Sequence, residues 1–413
     1  IITLDESCPS ADTVSMENGK ISGINAIDYN HKSIDLQGAT VIPGFTDSHF
    51  HLTNLGKQLD TLQLKDCRSS HEVAEKVLKK SAKMSHNDWI IGFGWDHNKW
   101  RDSHFPKADI LNSLPIYQPI MLNRIDGHSA WVNQKAMELS GLDVAPNPPE
   151  GGDIINDCIL IDNAMNPVQF VMPKPDESTV EKWINLALKI IIPRGITNIH
   201  DAWQDPVTVK VLQQMSANGK LPIRVYGMLG SSYPKLLKQF FKEGFFNSEN
   251  YTIRSVKAFI DGALGSRGAA LLEPYSDDHS NCGLILITHD EFEKLTIRCR
   301  NAGFQLCTHA IGDRGNKMVL DIYSEFTKEL NNHRWRIEHA QIICDEDIPR
   351  FAKAGIVPSM QPSHCTSDMP WLHDRLGSNR LHRISRWQSF IDAGCKIPGG
   401  SDCPMEAVAK TSR

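Results

Sequence analysis

Short apolar runs that alternate with amphipathic segments constrain the fold of this chain more than any other feature of its sequence. Between the runs lie segments such as HDEFEKLTIRCRNAG (289–303), whose apolar residues are spaced three and four apart, as in a helix. Strands that alternate with helices predict parallel βα units, and eight such units predict a (β/α)8 TIM-type barrel of the α/β class. The predicted strands lie at residues 39–45, 196–200, 223–229, 256–260, 304–309, 335–339, 356–360 and 395–398.

The remaining segments predict two additions to this barrel. Residues 1–40 hold short alternating runs with turn signals, which predict small strands belonging to an accessory β-sandwich. Residues 41–413 form the predicted barrel, with a large insertion at about 53–190 that contains strand-like runs of its own.

The charge balance excludes two broad classes of partner. The chain carries 44 Lys and Arg against 49 Asp and Glu, a net charge of -5, and has no long basic run that could follow a nucleic acid. No stretch approaches the roughly 18 consecutive apolar residues of a membrane span. We therefore expect neither a nucleic-acid nor a membrane partner. The scattered cysteines favour a reducing, cytoplasmic compartment, while a chain that starts at Ile1 and a sequon at Asn250 leave a secretory route open.

Two histidines separated by one residue mark the first candidate site. His49 and His51 follow an apolar run, and the two-residue period of a strand puts both imidazoles on one face. Further ligand-type residues lie at or near the ends of other predicted strands: Lys257, His309, His339 and Asp402. Because the carboxyl ends of barrel strands converge on one face, the sequence predicts a metal site there.

Lys257 is unusual because an ammonium group among apolar strand residues is costly to bury unless it is paired or neutralised. One solution is carbamylation, in which the amine reacts with carbon dioxide and becomes an anion that can bridge two metal ions. The alternative is an ion pair with Asp261 or another carboxylate. The residues alone leave both solutions open.

Seven motifs resemble the metal-dependent amidohydrolase superfamily, in its amidohydrolase-3 branch of YtcJ-like, N-substituted formamide deformylase-like proteins. They span essentially the whole chain in the family's order: VIPGFTDSHFHL, RIDGHSAWVNQKAM, VKAFIDGALGSRGAAL, THAIGDRGN, RIEHAQ, QPSHCTSD and GGSDCP. The resemblance implies that the paired histidines close strand one, the lysine strand four, the single histidines strands five and six, and the aspartate strand eight.

The resemblance also implies a set of metal ligands. The more buried ion would be held by His49, His51, Lys257 and Asp402. Lys257, as a carbamate, would share a second ion with His309 and His339. Zinc is the expected ion, although the same donors suit Mn, Fe, Co or Ni, and a site with a single ion stays open.

The implied reaction is hydrolysis of a small-molecule amide at a non-peptide carbon–nitrogen bond, of the formamide or a related type. Water activated by the metal would attack the carbonyl, and Asp402 would take its proton and pass it to the departing nitrogen. Three residues are candidates for substrate binding: His128 in the insertion, Arg267 after the lysine strand and His364 after the seventh strand. Local hydrogen bonding is the alternative for His128, and a structural salt bridge is the alternative for Arg267.

Three carboxylates beside the predicted ligands are candidates for orienting the imidazoles: Asp47, Glu338 and Asp313. Metal-binding histidines usually need such partners. A surface position is the alternative for each, and we favour it for Asp313.

The chain departs from the family after Asp402. The family continues with a last barrel helix and with further strands of the sandwich, whereas MEAVAKTSR (405–413) does not resemble that continuation. The sequence therefore predicts a barrel that lacks the C-terminal part of its sandwich, and exposed strand edges leave a homo-oligomer open. Two alternatives to an amidohydrolase remain: a truncated, non-catalytic or unstable relative that serves as a binding or regulatory module, and a barrel hydrolase that acts on phosphoesters.

Overall fold

The computed structural model describes residues 1–26, 32–101, 103–125, 127–143, 148–149 and 151–404, so the segment MEAVAKTSR lies outside the described residues. The chain divides into two compact units. One comprises Ile1–His51 and Ile190–Arg413, and the other comprises Leu52–Lys189. None of the helices in the described ranges combines the length and the apolar character that a membrane crossing requires.

The first unit begins with an antiparallel hairpin of two strands, β1 (Val14–Glu17) and β2 (Lys20–Ile24), within the region expected to form an accessory sheet. The first barrel strand, β3, covers Phe45–Phe50 rather than the apolar run predicted at 39–45. Pro43 lacks an N–H group for a strand ladder, so regular pairing starts after it. The strand then continues through polar residues, which sequence patterning reads as a strand end.

The second unit forms a mixed sheet of its own with flanking helices. Its strands are ordered β4-β5-β6-β7-β9-β8, of which the first three are parallel and the others antiparallel. Its elements are α1 (Leu52–Asp60), β4 (Leu62–Gln63), α2 (Ser70–Ser81), β5 (Ile90–Trp95), α3 (Ala108–Asn112), β6 (Ile120–Arg124), β7 (Ser129–Val132), α4 (Gln134–Ser140), β8 (Gly152–Ile155), β9 (Ile159–Asp162), α5 (Asn166–Val171) and all but the last two residues of α6 (Glu177–Ile191).

The chain then returns to the barrel, whose parallel strands are ordered β3-β10-β11-β13-β14-β15-β16. The short β12 pairs antiparallel with β13. The elements are β10 (Ile196–Gln204), α7 (Pro206–Ala217), β11 (Arg224–Gly230), α8 (Pro234–Glu243), β12 (Phe246–Asn247), β13 (Tyr251–Phe259), α9 (His289–Ala302), β14 (Gln305–Ala310), α10 (Asp313–Phe326), β15 (Arg336–His339), α11 (Ile348–Ala354), β16 (Val357–Ser359), α12 (Pro362–Asp368), α13 (Leu372–Leu376) and α14 (Trp387–Asp392).

The segment 399–403 nearly closes the ring between β16 and β3. Gly399 forms a parallel bridge with Met360, and Cys403 forms one with Phe50. The eighth strand predicted at 395–398 is therefore displaced toward the carboxyl end and is reduced to isolated bridges. The fold class predicted from the sequence, an α/β TIM-type barrel, is confirmed by this parallel, nearly closed sheet.

The helices between the strands follow local signals in the sequence. Helix α9 begins with a capping box in which the Thr288 side chain accepts from the Glu291 N–H and the Glu291 side chain accepts from the Thr288 N–H. It ends at Gly303, whose φ of 74° is the left-handed conformation that glycine adopts without strain. Such caps fix where each strand starts and therefore which residues reach the carboxyl face of the barrel.

Gly400 allows the closing segment to pass directly against β3. A Cβ atom at this position would lie 2.6 Å from both the backbone nitrogen and the Cβ of His49. Gly400→Ala is therefore expected to lower the free energy of unfolding by about 1–3 kcal/mol, the usual cost of overpacking. Gly399→Ala is the matched control, because a Cβ there meets nothing within 4 Å. Thermal unfolding of both variants checks the prediction, and equal melting temperatures would contradict it.

Candidate metal centre

The carboxyl ends of the barrel strands bring ligand-type side chains to one face. They come from β3 and the residue after it, β13, β14, β15 and the closing segment: His49, His51, Lys257, His309, His339 and Asp402. These are the six residues that the sequence singles out as ligands. Five of them are buried and the sixth, His51, is partly exposed, so the cluster lies within the barrel mouth.

His49, His51 and Asp402 form the tightest group. Oδ1 of Asp402 lies 3.0 Å from Nε2 of His51 and 3.4 Å from Nε2 of His49. Lys257 adjoins this group, because its Nζ atom lies 3.5 Å from Nε2 of His49. One donor atom from each of the two histidines and the aspartate lies within 4.8 Å of the others, a spacing that a single metal ion can bridge.

A second group of imidazoles comprises His309, His339 and His364, of which His364 contacts the other oxygen of Asp402. The rings of His309 and His339 have centroids 4.5 Å apart, and the ring of His364 stacks on His339 with centroids 5.4 Å apart. Nε2 of His364 lies 3.4 Å from Oδ2 of Asp402. His364, singled out from the sequence as a substrate contact, therefore also lies within the group that could hold a metal.

The protonation states of the imidazoles suit metal binding. Burial, reinforced by the charge of nearby Lys257, lowers the pKa of His49 to about 4 and that of His309 to about 3. Burial, together with the neighbouring His309, also holds the pKa of His339 well below its ordinary value. A neutral imidazole keeps a lone pair on one ring nitrogen, which is the form that binds a metal ion.

Asp402 is held as an anion in a strained backbone conformation. Burial raises the pKa of this carboxyl, but hydrogen bonds from His364 and His51 outweigh it and bring the pKa well below its usual range. The φ angle is 53° at Asp402 and 73° at His339, in the region that L-residues rarely adopt. Such strain is concentrated at functional sites, where the surrounding structure enforces it.

Lys257 has no carboxylate partner in the described part of the chain. Its side chain is 0% exposed, no carboxylate oxygen within those residues comes within 4 Å of Nζ, and burial lowers its pKa. Asp261, the alternative partner, instead accepts hydrogen bonds from the backbone N–H groups of Ala270, Ile311 and Gly312. Burial raises the pKa of Asp261 to about 7. An Asp261–Lys257 ion pair therefore does not explain the lysine.

A chain of buried polar groups orients His49. Its Nδ1 atom lies 2.6 Å from Oε2 of Glu338, whose Oε1 is 2.7 Å from Nη2 of Arg336. Nη1 of Arg336 lies 2.9 Å from Nδ1 of His200. Because the Glu338 carboxylate accepts the Nδ1 proton of His49, the lone pair on Nε2 faces Lys257 and Asp402. Sequence reasoning singled out Glu338 but missed Arg336 and His200.

Replacing Arg336 is expected to lower the affinity of the centre for metal, although Arg336 is not one of the six candidate ligands. Arg336→Met removes the guanidinium that fixes Oε1 of Glu338, so the carboxylate can turn away from His49 and metal affinity falls roughly 10- to 100-fold. Arg336→Lys keeps the charge but lacks the two guanidinium nitrogens that contact Glu338 and His200. Its metal affinity should lie between those of the wild type and Arg336→Met. Competition with a chromophoric chelator measures this affinity. Equal affinities in folded wild type and Arg336→Met would contradict the prediction.

Asp47 and Asp313, the other two candidate carboxylates, accept hydrogen bonds from backbone N–H groups rather than from imidazoles. Asp47 accepts from the backbone N–H groups of His49 and Ser401. Asp313 accepts from the N–H of Leu272 and forms an ion pair with Arg383. The surface position favoured for Asp313 is wrong, because the residue is 2% exposed. The two-residue alternation of buried and exposed positions applies to strands, and Asp313 is the first residue of helix α10, so that pattern could not predict its burial.

Arg267 and His128 make the local interactions that the sequence left as alternatives. The guanidinium of Arg267 forms two hydrogen bonds with Asp277, at 3.0 and 2.9 Å, and contacts none of the six candidate ligands in the described ranges. Nδ1 of His128 lies 2.9 Å from Oδ1 of Asp162, and its side chain is 77% exposed. A substrate contact by either residue stays a prediction.

A parallel α/β barrel whose carboxyl face gathers neutral imidazoles, an ionised aspartate and a buried lysine defines a metal-dependent hydrolase. The donor set fits a divalent metal ion, since imidazole and carboxylate are its common protein ligands. The model of the Amidohydrolase family, Amidohydro_3, matches residues 32–412, and the chain belongs to this family. This assignment confirms the resemblance inferred from the motifs.

Relatives across the whole chain agree with the assignment. YtcJ of Bacillus subtilis (strain 168), which is named as an amidohydrolase, is 30% identical over 99% of this chain and 80% of its own length. The N-substituted formamide deformylase of Arthrobacter pascens is 23% identical over 97% of this chain and 79% of its own length. The crystal structure of an uncharacterised metal-dependent hydrolase from Pyrococcus furiosus matches with a TM-score of 0.77 and 27% identity, covering 88% of this chain and 74% of that chain.

Proposed function

We propose that this hydrolase cleaves a non-peptide carbon–nitrogen bond in a small-molecule amide, most specifically a formamide. The observation that carries the proposal is the convergence of His49, His51 and Asp402 beside the buried amine of Lys257. The name of the formamide deformylase relative supports the bond class. The net reaction adds water across the amide and releases a carboxylic acid and an amine.

The ligands in this proposal are those that the sequence singles out. One divalent ion would be held by His49, His51, Lys257 and Asp402. Lys257, His309 and His339 would hold a second, and His364 offers a further imidazole beside His339. We propose zinc, whose common donors these are, while Mn, Fe, Co and Ni accept the same donors.

Carbamylation of Lys257 is part of the proposal. The neutral amine attacks carbon dioxide, a nitrogen–carbon bond forms, and one proton leaves to solvent, so a neutral group becomes an anion. Burial, which lowers the pKa of Lys257, favours the neutral amine that can react. An anion at this position also suits a site that holds two positive ions.

Asp402 is the proposed proton carrier. A bound divalent ion would supply Lewis acidity that lowers the pKa of water to about 7. Asp402, ionised and held by His51 at Oδ1 and by His364 at Oδ2, accepts a proton from the attacking water. The same carboxyl then returns the proton to the departing nitrogen, so that the amine leaves neutral.

Elemental analysis of gel-filtered protein and an assay of amine release from N-substituted formamides test the proposal together. We expect one to two equivalents of a transition metal and hydrolysis that a chelator abolishes. His309→Ala should lower the metal content and abolish hydrolysis while far-UV circular dichroism stays nearly unchanged, because the variant removes a ligand rather than a core contact. The exposed His279 provides the matched control, and His279→Ala should change neither.

Each alternative predicts a different outcome of the same measurements. Folded, monodisperse protein that binds no metal after incubation with zinc and bicarbonate, and hydrolyses nothing, would overturn the proposal and favour a non-catalytic binding module. Turnover of phosphotriesters without turnover of amides would also overturn it and favour a phosphoesterase. Metal-dependent amide turnover supports the proposed reaction whether or not Lys257 is carbamylated. Mass spectrometry of the intact protein then shows whether Lys257 carries the carbamate.

A further inference from the structure

A partly buried imidazole, that of His200, contacts the guanidinium that holds Glu338. His200 lies on β10 and Arg336 is the first residue of β15, and the strands β11, β13 and β14 lie between these two in the sheet. The side chain of Arg336, which is 3% exposed, therefore crosses the barrel interior. Its Nη1 atom lies 2.9 Å from Nδ1 of His200, and its Nη2 atom lies 2.7 Å from Oε1 of Glu338. One guanidinium thus connects an imidazole on β10 with a carboxylate on β15.

The protonation state of His200 determines the direction of its hydrogen bond with Arg336. A guanidinium carries only donors, so Nδ1 of His200 accepts and the ring proton lies on Nε2. Burial, reinforced by the charge of Arg336, lowers the pKa of His200 to about 3. The ring is therefore neutral near neutral pH, and the lone pair on Nδ1 is available to the guanidinium.

Neighbouring side chains hold the ring of His200 in place. Tyr226 is its register partner on β11, and the centroids of the two rings lie 4.9 Å apart. The hydroxyl of Tyr226 donates to Oε1 of Gln305 at 2.7 Å, which fixes the Tyr226 ring in turn. These contacts restrict the imidazole to an orientation in which Nδ1 faces Arg336.

We infer that His200 is a positioning residue for the metal centre, because it holds the guanidinium that orients Glu338 toward His49. This inference rests on the proposed function, since it concerns the same centre. With Nη1 of Arg336 held by His200, Nη2 stays directed at Oε1 of Glu338. Oε2 of Glu338 then lies 2.6 Å from Nδ1 of His49 and keeps the ring proton there. The lone pair on Nε2 of His49 is thereby left for a metal ion.

Two variants of His200 test this role through the affinity for zinc, which competition with a chromophoric chelator measures. His200→Leu removes the acceptor, and we expect the affinity to fall roughly three- to tenfold. This loss is smaller than the cost of about 10- to 100-fold for removing a direct orienting partner, because His200 acts one step further from the ligand. His200→Asn places an oxygen acceptor near the position of Nδ1 and should restore the wild-type affinity.

Tyr226→Phe is the matched control. It removes a partly buried hydroxyl beside His200 and leaves Oε1 of Gln305 without its donor, so the melting temperature should fall. The ring that packs against His200 remains, so the affinity for zinc should stay at the wild-type value. An equal loss of affinity in Tyr226→Phe and His200→Leu would mean that the loss reflects stability alone, and it would overturn the inference.

A double-mutant cycle tests whether His200 acts through Arg336. In the Arg336→Met background, His200→Leu should lower the affinity for zinc no further, because both changes interrupt the same chain of contacts. Wild-type affinity in folded His200→Leu, or a loss of equal size in both backgrounds, would overturn the inference. If His200→Leu fails to fold, His200→Phe, which keeps a ring but no acceptor, replaces it with the same expectation.

A measurement on the metal-free protein separates this inference from the proposed function. Nitrogen-15 NMR of histidine-labelled protein shows which ring nitrogen of His49 carries the proton, and His49→Gln identifies the signal. We expect the proton on Nδ1 in the wild type and in His200→Asn, and a mixture of both tautomers in His200→Leu. This pattern in a wild-type protein that binds no metal would overturn the proposed function alone. Metal-dependent hydrolysis by the wild type, with an unchanged His49 tautomer in His200→Leu, would overturn the inference alone.

Discussion

Asp402→Asn is expected to lower kcat/KM for formamide hydrolysis by roughly 10²- to 10⁴-fold, the range attributed to a positioned general acid and base. The amide of asparagine has nearly the same shape as the carboxylate but cannot accept a proton from water near neutral pH. One of its two positions also becomes an NH₂ donor facing the histidines that now contact Oδ1 and Oδ2. Amine release and metal content, measured on the same preparation, give both effects.

The comparison with a second carboxylate isolates the role of position. Asp374 is exposed on α13, so Asp374→Asn removes the same charge without entering the centre and should leave the rate unchanged. Asp402→Glu keeps an acid but moves it by one methylene, and we expect it to bind metal while hydrolysing slowly. Formamide hydrolysis at the wild-type rate by folded Asp402→Asn would contradict the proposed role of Asp402 as proton carrier.

The barrel and its ligand residues were predictable because both depend on short-range patterns. The two-residue period of a strand is enough to place His49 and His51 on one face, and parallel strands necessarily deliver their ends to the same side of the barrel. Neither step needs the identity of any distant partner. The fold class and the gathering of the six ligand-type residues follow from these rules.

The boundaries of the first barrel strand and of the closing segment were less predictable than the others. Strand β3 runs through Phe45–Phe50, and the closing bridges involve Gly399 and Cys403, both later than the apolar runs suggest. Apolar patterning marks the part of a strand that packs against helices, whereas the part that faces the barrel mouth is polar. Hydrophobicity therefore placed the first and last strands before their functional residues, whereas the strands predicted at 256–260, 304–309 and 335–339 include theirs.

Sequence reasoning singled out Glu338 as an orienting carboxylate but could not say which imidazole it orients, and it missed Arg336 and His200, because these contacts are long-range. Glu338 accepts from His49 across 289 residues, and no local pattern connects them. One signal was available, since the two-residue period of β15 puts Arg336 and Glu338 on the same face. His339 breaks that period with its φ of 73°, which allows two consecutive residues to serve the centre. Arg267 follows the lysine strand, and it makes the salt bridge with Asp277 that the sequence left as the alternative to a substrate contact.

Lys257→Met is expected to stabilise the metal-free protein while abolishing hydrolysis. The ammonium is fully buried, its pKa is lowered chiefly by desolvation, and the attraction of Glu338 and Asp402 does not offset that cost. Methionine is unbranched and of similar length, so it fills the same space without a charge. We expect the melting temperature of the chelator-treated protein to rise by about 2–4 °C for each kcal/mol recovered. Metal content should fall, because the proposed bridging ligand is lost.

The sign of the stability change separates a functional lysine from a structural one. If Lys257 belonged to a buried ion pair, its removal would leave an unpaired carboxylate and destabilise the protein by about 3–5 kcal/mol. Lys238→Met, on the exposed face of α8, controls for a change of charge alone and should leave melting temperature and metal content near wild type. Added zinc should then raise the melting temperature of the wild type and of Lys238→Met much more than that of Lys257→Met, because only the first two keep the full set of ligands. A lower melting temperature in metal-free Lys257→Met would mean that the lysine holds the barrel together, and the carbamate proposal would lose its physical basis.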